Sequence, residues 1–213
     1  MADWFKARFL AKRNENEANY FQKLTDVIQS AIDDGDYANL DIGSLQYFPD
    51  RTLASTVEDD YNVRDGEVEF SIVIPYGIDL EAIRDFKSDF GIDTLYCLFA
   101  HEREEQQDWE TNDEEHKSVG LIKFKNVYDE DGDCCDSEMT FDYPAEDDAA
   151  KLAQYWRLAW NGEWTHEGSM MEFFTQNGEE SAAAADEAIS VKDPESDESR
   201  YMTLREFIAK TGI

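Results

Sequence analysis

The stretch Thr94 to Ala100 reads Thr-Leu-Tyr-Cys-Leu-Phe-Ala and limits the possible folds more than any other segment. Its apolar side chains fall at both odd and even positions. That is the pattern of a strand buried on both faces, which belongs at the centre of a sheet and not at its edge. Neighbouring patterns supply the rest of the sheet. From Glu67 to Ile74, Val68, Phe70, Ile72 and Ile74 alternate with mostly polar residues, a half-buried strand ended by Pro75 and Gly77. Val119 to Val127 places Ile122 and Phe124 on one side and Lys123 and Lys125 on the other, and Met139, Phe141 and Tyr143 mark a further strand.

Helical spacing separates these strands. Asp79 suits an N-cap ahead of Leu80, Ile83, Phe86 and Phe90, with Gly91 as the stop. Pro144 leads into a helix carrying Ala149, Leu152, Ala153, Trp156, Ala159 and Trp160. An earlier helix spaces Tyr20, Phe21, Leu24, Val27, Ile28, Ala31 and Ile32 at intervals of three and four, up to Gly35. The basic, aromatic residues before it, from Trp4 and Phe5 to Lys12 and Arg13, read as its continuation or as a cap on another surface. The expected fold is therefore α+β, a mixed or mainly antiparallel sheet of about four to five strands packed with three to four helices and bordered by acidic surface loops. Residues 1–178 are expected to form a single α+β domain with an amphipathic N-terminal helix. Residues 179–200 read as an acidic, Ala/Ser-rich linker or weak helix, and 201–213 as a short C-terminal helix. Thr203 and Glu206 form a capping-box pair there, and Leu204, Phe207 and Ile208 give an apolar stripe. That stripe is expected to dock on its own domain; the alternative is a peptide that recruits a partner.

The chain has 213 residues with 50 acidic and 19 basic side chains, a formal net charge of −31. Docking on nucleic acid through phosphates needs a basic face, so direct nucleic-acid binding is excluded, and an anionic membrane surface is an equally poor partner. An apolar fraction of 41% with 13% aromatic residues is too high for a disordered acidic chain. Three cysteines, Cys97 and the adjacent Cys134 and Cys135, do not make a disulfide framework, and no apolar run is long enough for a membrane helix, so the expected location is the cytoplasm, of a host cell if the protein is viral.

The charge is patterned. Residues 1–13 net +3, whereas Glu58 to Glu69 nets −5, His101 to His116 nets −7, Asp129 to Asp148 holds ten acids and no base, and Glu179 to Ser199 nets −7. Concentrating so much like charge on one body destabilises it. Carboxylates on alternate strand residues stand about 6–7 Å apart, a spacing like that of phosphates along a nucleic-acid strand. In charge density the chain is similar to the acidic DNA-mimic proteins of phages and mobile elements that block restriction or other defence enzymes. The resemblance is compositional and implies an inhibitor that occupies the basic nucleic-acid site of a host protein. The expected partner surface comprises Glu102, Glu104, Glu105, Asp108, Trp109, Glu110, Asp113, Glu114, Glu115, Asp129, Glu130, Asp131, Asp133, Asp136, Glu138, Asp142 and Trp164, with the two tryptophans as apolar anchors. A homodimer is compatible with this reading.

Enzyme signatures are weak, and no catalytic residue or cofactor is expected. Asp129, Asp131, Asp133 and Asp136 form the one candidate cation loop, which would serve a metal-dependent hydrolase, yet Gly132 and Thr140 depart from the EF-hand pattern. Cys134 and Cys135 with His101 and His116 lack zinc-ligand spacing. Pro49-Asp50 with Glu67-Val68-Glu69 resembles a nuclease site without its lysine. No GxSxG, P-loop or GxGxxG motif is present.

Overall fold

The computed structural model describes residues 4–14, 21–26, 28, 62–64, 66–75, 80–101, 118–145, 147–160, 179–193 and 196–213. The basic N-terminus is a strand, β1 (Trp4–Arg13), and not the extension of a helix. The reason lies in its alternation. Phe5, Ala7, Phe9 and Ala11 fall on one face, Lys6, Arg8, Leu10 and Lys12 on the other, a period of two that a helix cannot bury. Phe5 and Phe9 also fit a helical spacing, so the stretch can be read as the continuation of a helix.

β2 (Asn62–Arg64), β3 (Glu67–Pro75), β4 (Ile92–His101), β5 (Val119–Tyr128) and β6 (Cys134–Asp142) complete a six-stranded sheet in the order β2-β3-β1-β4-β5-β6. Every neighbouring pair is antiparallel. β1 sits between β3 and β4, with Phe9 opposite both Phe70 and Cys97. β4, the strand apolar on both faces, lies between β1 and β5. The fold is α+β as expected, with the sheet larger than expected because β1 and the three-residue β2 join it.

One face of the sheet is apolar over its centre. The odd residues of β1 join Val68, Phe70, Ile72, Leu95, Cys97, Phe99, Ile122 and Phe124. Ile83, Phe86 and Phe90 from α1 (Leu80–Asp89) and its C-terminal turn cover them, with Phe21, Leu24 and Ile28 from helical residues at 21–26 and 28. Phe9, Phe70 and Phe86 form a mutual aromatic cluster with centroids 5.2–6.1 Å apart. Gly91 ends the helical turn with φ 59, the left-handed stop that a glycine tolerates. Asp79, Tyr20 and residues 29–32 lie outside the described residues.

The opposite face carries three helices, α2 (Ala149–Ala159), α3 (Glu179–Ile189) and α4 (Leu204–Thr211). Trp156, Leu158, Ala159, Trp160, Ala185, Ile189, Leu204, Phe207 and Ile208 pack there on Leu10, Tyr96, Leu98 and Leu121. A two-stranded ribbon, β7 (Ser190–Lys192) with β8 (Ser199–Tyr201), joins α3 to α4. The capping box on α4 is formed: the Thr203 side chain accepts from the Glu206 N–H, and the Glu206 carboxylate accepts from the Thr203 N–H. Leu204, Phe207 and Ile208 are buried, so the apolar stripe that would recruit a partner is turned onto the chain's own sheet.

That face also holds charge. Lys6 and Arg8 are only 1% and 2% exposed, and Glu69 on β3 is 1% exposed. Arg8 Nη2 meets Glu69 Oε1 at 2.8 Å, while Arg8 Nη1 donates to the Leu158 carbonyl at 2.7 Å. Glu69 also accepts the N–H groups of Leu204 and Arg205, at 2.7 and 3.1 Å. A buried carboxylate thus closes the N-terminal end of α4, where the helix dipole favours an anion. Lys6 Nζ lies 5.7 Å from the centroid of the Trp160 ring.

Candidate interaction surface

β5 and β6 form a hairpin whose turn is built from the acidic residues. The Asp129 N–H donates to the Asp133 carbonyl at 2.9 Å, and Gly132 N–H donates to the Asp129 carbonyl at 3.1 Å. The Asp129 carboxylate accepts from the N–H groups of Asp131 and Asp133, at 3.0 and 2.9 Å. Gly132 adopts φ 86, the left-handed residue that a three-residue hairpin loop requires. This explains the spacing that looked like a cation loop. Asp129 is a turn former, and Gly132 is its bend. Among the described residues no three His, Cys, Asp or Glu side chains converge on a point where a metal ion could sit, so Asp129, Asp131, Asp133 and Asp136 are not gathered into a centre.

Past the turn, the register slips by one residue: Tyr128 pairs with Cys134 but Val127 with Asp136, leaving Cys135 as a bulge. Both thiols are exposed; Cys134 Sγ contacts the Asp136 carbonyl and Cys135 Sγ the Val127 carbonyl. From Asp136 onward the pairing is regular. Ser137, Met139 and Phe141 take the face of the apolar cluster, and Asp136, Glu138, Thr140 and Asp142 take the face of the three helices.

The hairpin is fastened on both faces, near its turn on one and at its base on the other. On one, Tyr128 OH donates to Asp93 Oδ1 at 2.5 Å, and Lys87 Nζ donates to Asn126 Oδ1. Burial and the Asp93 carboxylate push the Tyr128 phenol up to about 12. On the other, Asp142 receives Lys151 Nζ at 2.7 Å and Tyr155 OH at 2.6 Å, tying β6 to α2. Burial, and then this carboxylate, raise the Tyr155 phenol. Asp142 is therefore a half-buried brace, and its charge is committed within the chain.

The remaining expected residues divide in two. Asp129, Glu130, Asp131, Asp133, Asp136 and Glu138 share the hairpin, and all are exposed. Glu138 has Lys125 opposite it in register. Among the described residues no ion pair engages any of these six carboxylates. Glu102, Glu104, Glu105, Asp108, Trp109, Glu110, Asp113, Glu114, Glu115 and Trp164 lie outside the described residues.

Cations show the opposite tendency. Among the described residues Lys6, Arg8 and Lys87 are buried while Glu69 is the one buried carboxylate, and of the three cations it is Arg8 that pairs with it. Arg157 pairs with Asp186, Arg205 with Glu67, and Arg200 with Glu206 through two hydrogen bonds. Among the described residues the interior thus takes up more positive than negative charge. The sequence reading missed this buried network. Its signal was present in the facing alternations, with Arg8 and Lys12 on one strand and Glu67 and Glu69 on another, but it required knowing that β1 is a strand.

No protein-family model, curated protein or solved structure matches the chain. No helix among the described residues is long and apolar enough to cross a membrane.

Proposed function

We propose that this protein is an acidic, nucleic-acid-mimic type inhibitor, which binds the basic nucleic-acid site of a host defence or DNA/RNA-handling protein. The observation that carries the reading is the hairpin. Six exposed carboxylates are displayed on a hairpin whose turn is held by its own hydrogen bonds, four in the turn and two on β6, and the only cation in register with any of them is Lys125, opposite Glu138. A preorganised anionic surface of this kind accelerates encounter with a basic cleft and loses less entropy on docking than a flexible acidic tail. A phage or mobile-element source fits the compositional resemblance.

The test is competitive. A nucleic-acid-binding fraction from a cell lysate is loaded on immobilised duplex DNA and eluted with the protein. The expected result is release of a discrete protein at low salt, fading steeply as ionic strength rises from about 0.05 to about 0.3 M, where the screening length shortens to several ångströms. Release that is indifferent to salt, or absent, would sink the proposal. A variant with Asp131, Asp133, Asp136 and Glu138 changed to Asn or Gln is expected to release at least about tenfold less, since each exposed charge contributes a fraction of a kcal/mol.

A further inference from the structure

We propose that the outer edge of β6, from Asp136 to Asp142, is a docking rail for an extended basic segment of the partner, which joins the sheet as a seventh strand. This deepens the reading above and rests on it, because it specifies how a basic partner is held.

The sheet ends at β6, and among the described residues no strand pairs with its outer side. The opposite edge is β2, only three residues long, whereas β6 has nine. Half the N–H and C=O groups of a long edge strand point outward and offer a template for another strand. The irregularity at Cys135 stays near the turn, so the register from Asp136 to Asp142 is unbroken and fit for pairing.

The side chains specify the occupant. On one face of the edge, Met139 and Phe141 are half-buried and continue the apolar cluster, so they form a ledge that a neighbouring strand would extend. On the other face stand Asp136, Glu138 and Thr140, with Asp142 already braced by Lys151. An added strand therefore meets apolar side chains at one parity and carboxylates at the other. Alternating Lys or Arg with Val, Ile or Phe satisfies both. A second copy of β6 does not, because acids would face acids across the new pair, which is destabilising.

The probe is a capped peptide of about nine residues, matched to the length of β6, alternating Lys with Val or Thr. Two twins carry N-methyl groups on all the Lys amides or on all the Val and Thr amides. They keep the charge, but each loses one set of backbone donors. The expected result is binding by the parent, at least about tenfold weaker binding by one twin, and slowed amide exchange at alternate residues of Asp136–Asp142 in the complex. Asp136→Lys with Glu138→Lys is expected to abolish binding while circular dichroism stays unchanged.

If both twins bind like the parent, or if protection falls outside β6, strand addition is overturned while the basic-partner reading stands. If the parent binds equally well to the charge-reversed protein, the acidic hairpin is not the recognition surface, and both readings fail. Absence of any binding by the parent overturns the rail.

Discussion

β1 and β6 belong to the same sheet and both place charged residues at alternate positions on the face covered by the three helices, yet they are opposite in nearly every physical respect. β1 is interior, cationic and buried; β6 is the edge, anionic and largely exposed. On that face of β1 each cation has a fixed counterpart within the chain: Glu69 and the Leu158 carbonyl for Arg8, the Trp160 ring for Lys6, Glu67 for Lys12. In β6, among the described residues, only Asp142 holds an ion pair, and Asp136 accepts merely from its neighbour's N–H, that of Ser137. The difference teaches that the sign of the charge matters less than its place. A charge between two packed layers must be satisfied by structure, whereas a charge at an edge is left to water or to a partner.

Removing a buried partner breaks this comparison most severely. Arg8→Met leaves the Glu69 carboxylate buried without its guanidinium, and the expected loss is about 3–5 kcal/mol in urea denaturation. Adding Glu69→Leu removes the stranded charge and is expected to restore part of that loss. It also removes the acceptor at the start of α4, a cost of about 0.5–2 kcal/mol for a capping group. The double variant should therefore lie between the single variant and the parent. If Arg8→Met alone is neutral, the pair does not organise this face.

A smaller effect comes from the carboxylates that fasten α4. Arg200 and the Thr203 N–H hold the Glu206 carboxyl down to about 2. Desolvation alone would raise the Glu67 carboxyl, but Arg205 and Lys12 hold it below its ordinary value. Depressed carboxyls stabilise the fold at pH values above their unfolded range, and that contribution fades as pH falls through the folded value. For Glu206 the window runs from the ordinary glutamate value down to about 2. Protonating the exposed hairpin acids acts in the opposite sense, because it relieves self-repulsion. Melting temperatures of the parent and of Glu206→Gln should thus differ at neutral pH, with the variant lower, and converge as pH approaches 2. A constant gap down to that pH would show that Glu206 acts by shape and not by charge.

How much of this was legible in the sequence depended on whether a segment's pattern had one physical meaning. Thr94–Ala100 could only be a central strand, and Val68, Phe70 and Ile72 could only line one side of one. The capping box at Thr203 and Glu206 is local chemistry and formed as read. β1 was ambiguous because its aromatic residues fit two periods. Its burial depends on acids more than fifty positions away, a pairing that no local pattern reveals. The acidic residues were legible in number and location but not in role. Asp129 and Gly132 make a turn, and Asp142 is a brace, because hydrogen-bond partners are decided only when β6 is laid beside β5 and α2.

The smallest expected effect on stability belongs to the residues most expected to matter for binding. Asp136→Lys with Glu138→Lys places two cations on an exposed edge where no ion pair is broken. Inside the hairpin two small changes follow: the exposed Ser137 N–H turns from Asp136 Oδ1 to water, and Lys125 now faces a like charge, a cross-strand penalty of a few tenths of a kcal/mol. Lowering the excess negative charge offsets it. Denaturant midpoints are therefore expected within about 0.5 kcal/mol of the parent at moderate salt. At low salt, where repulsion among the remaining acids is least screened, the variant should gain relative to the parent. A large loss would mean that these carboxylates hold the hairpin together, as Asp129 and Asp142 do, and the contrast between the satisfied interior strand and the exposed edge would no longer hold.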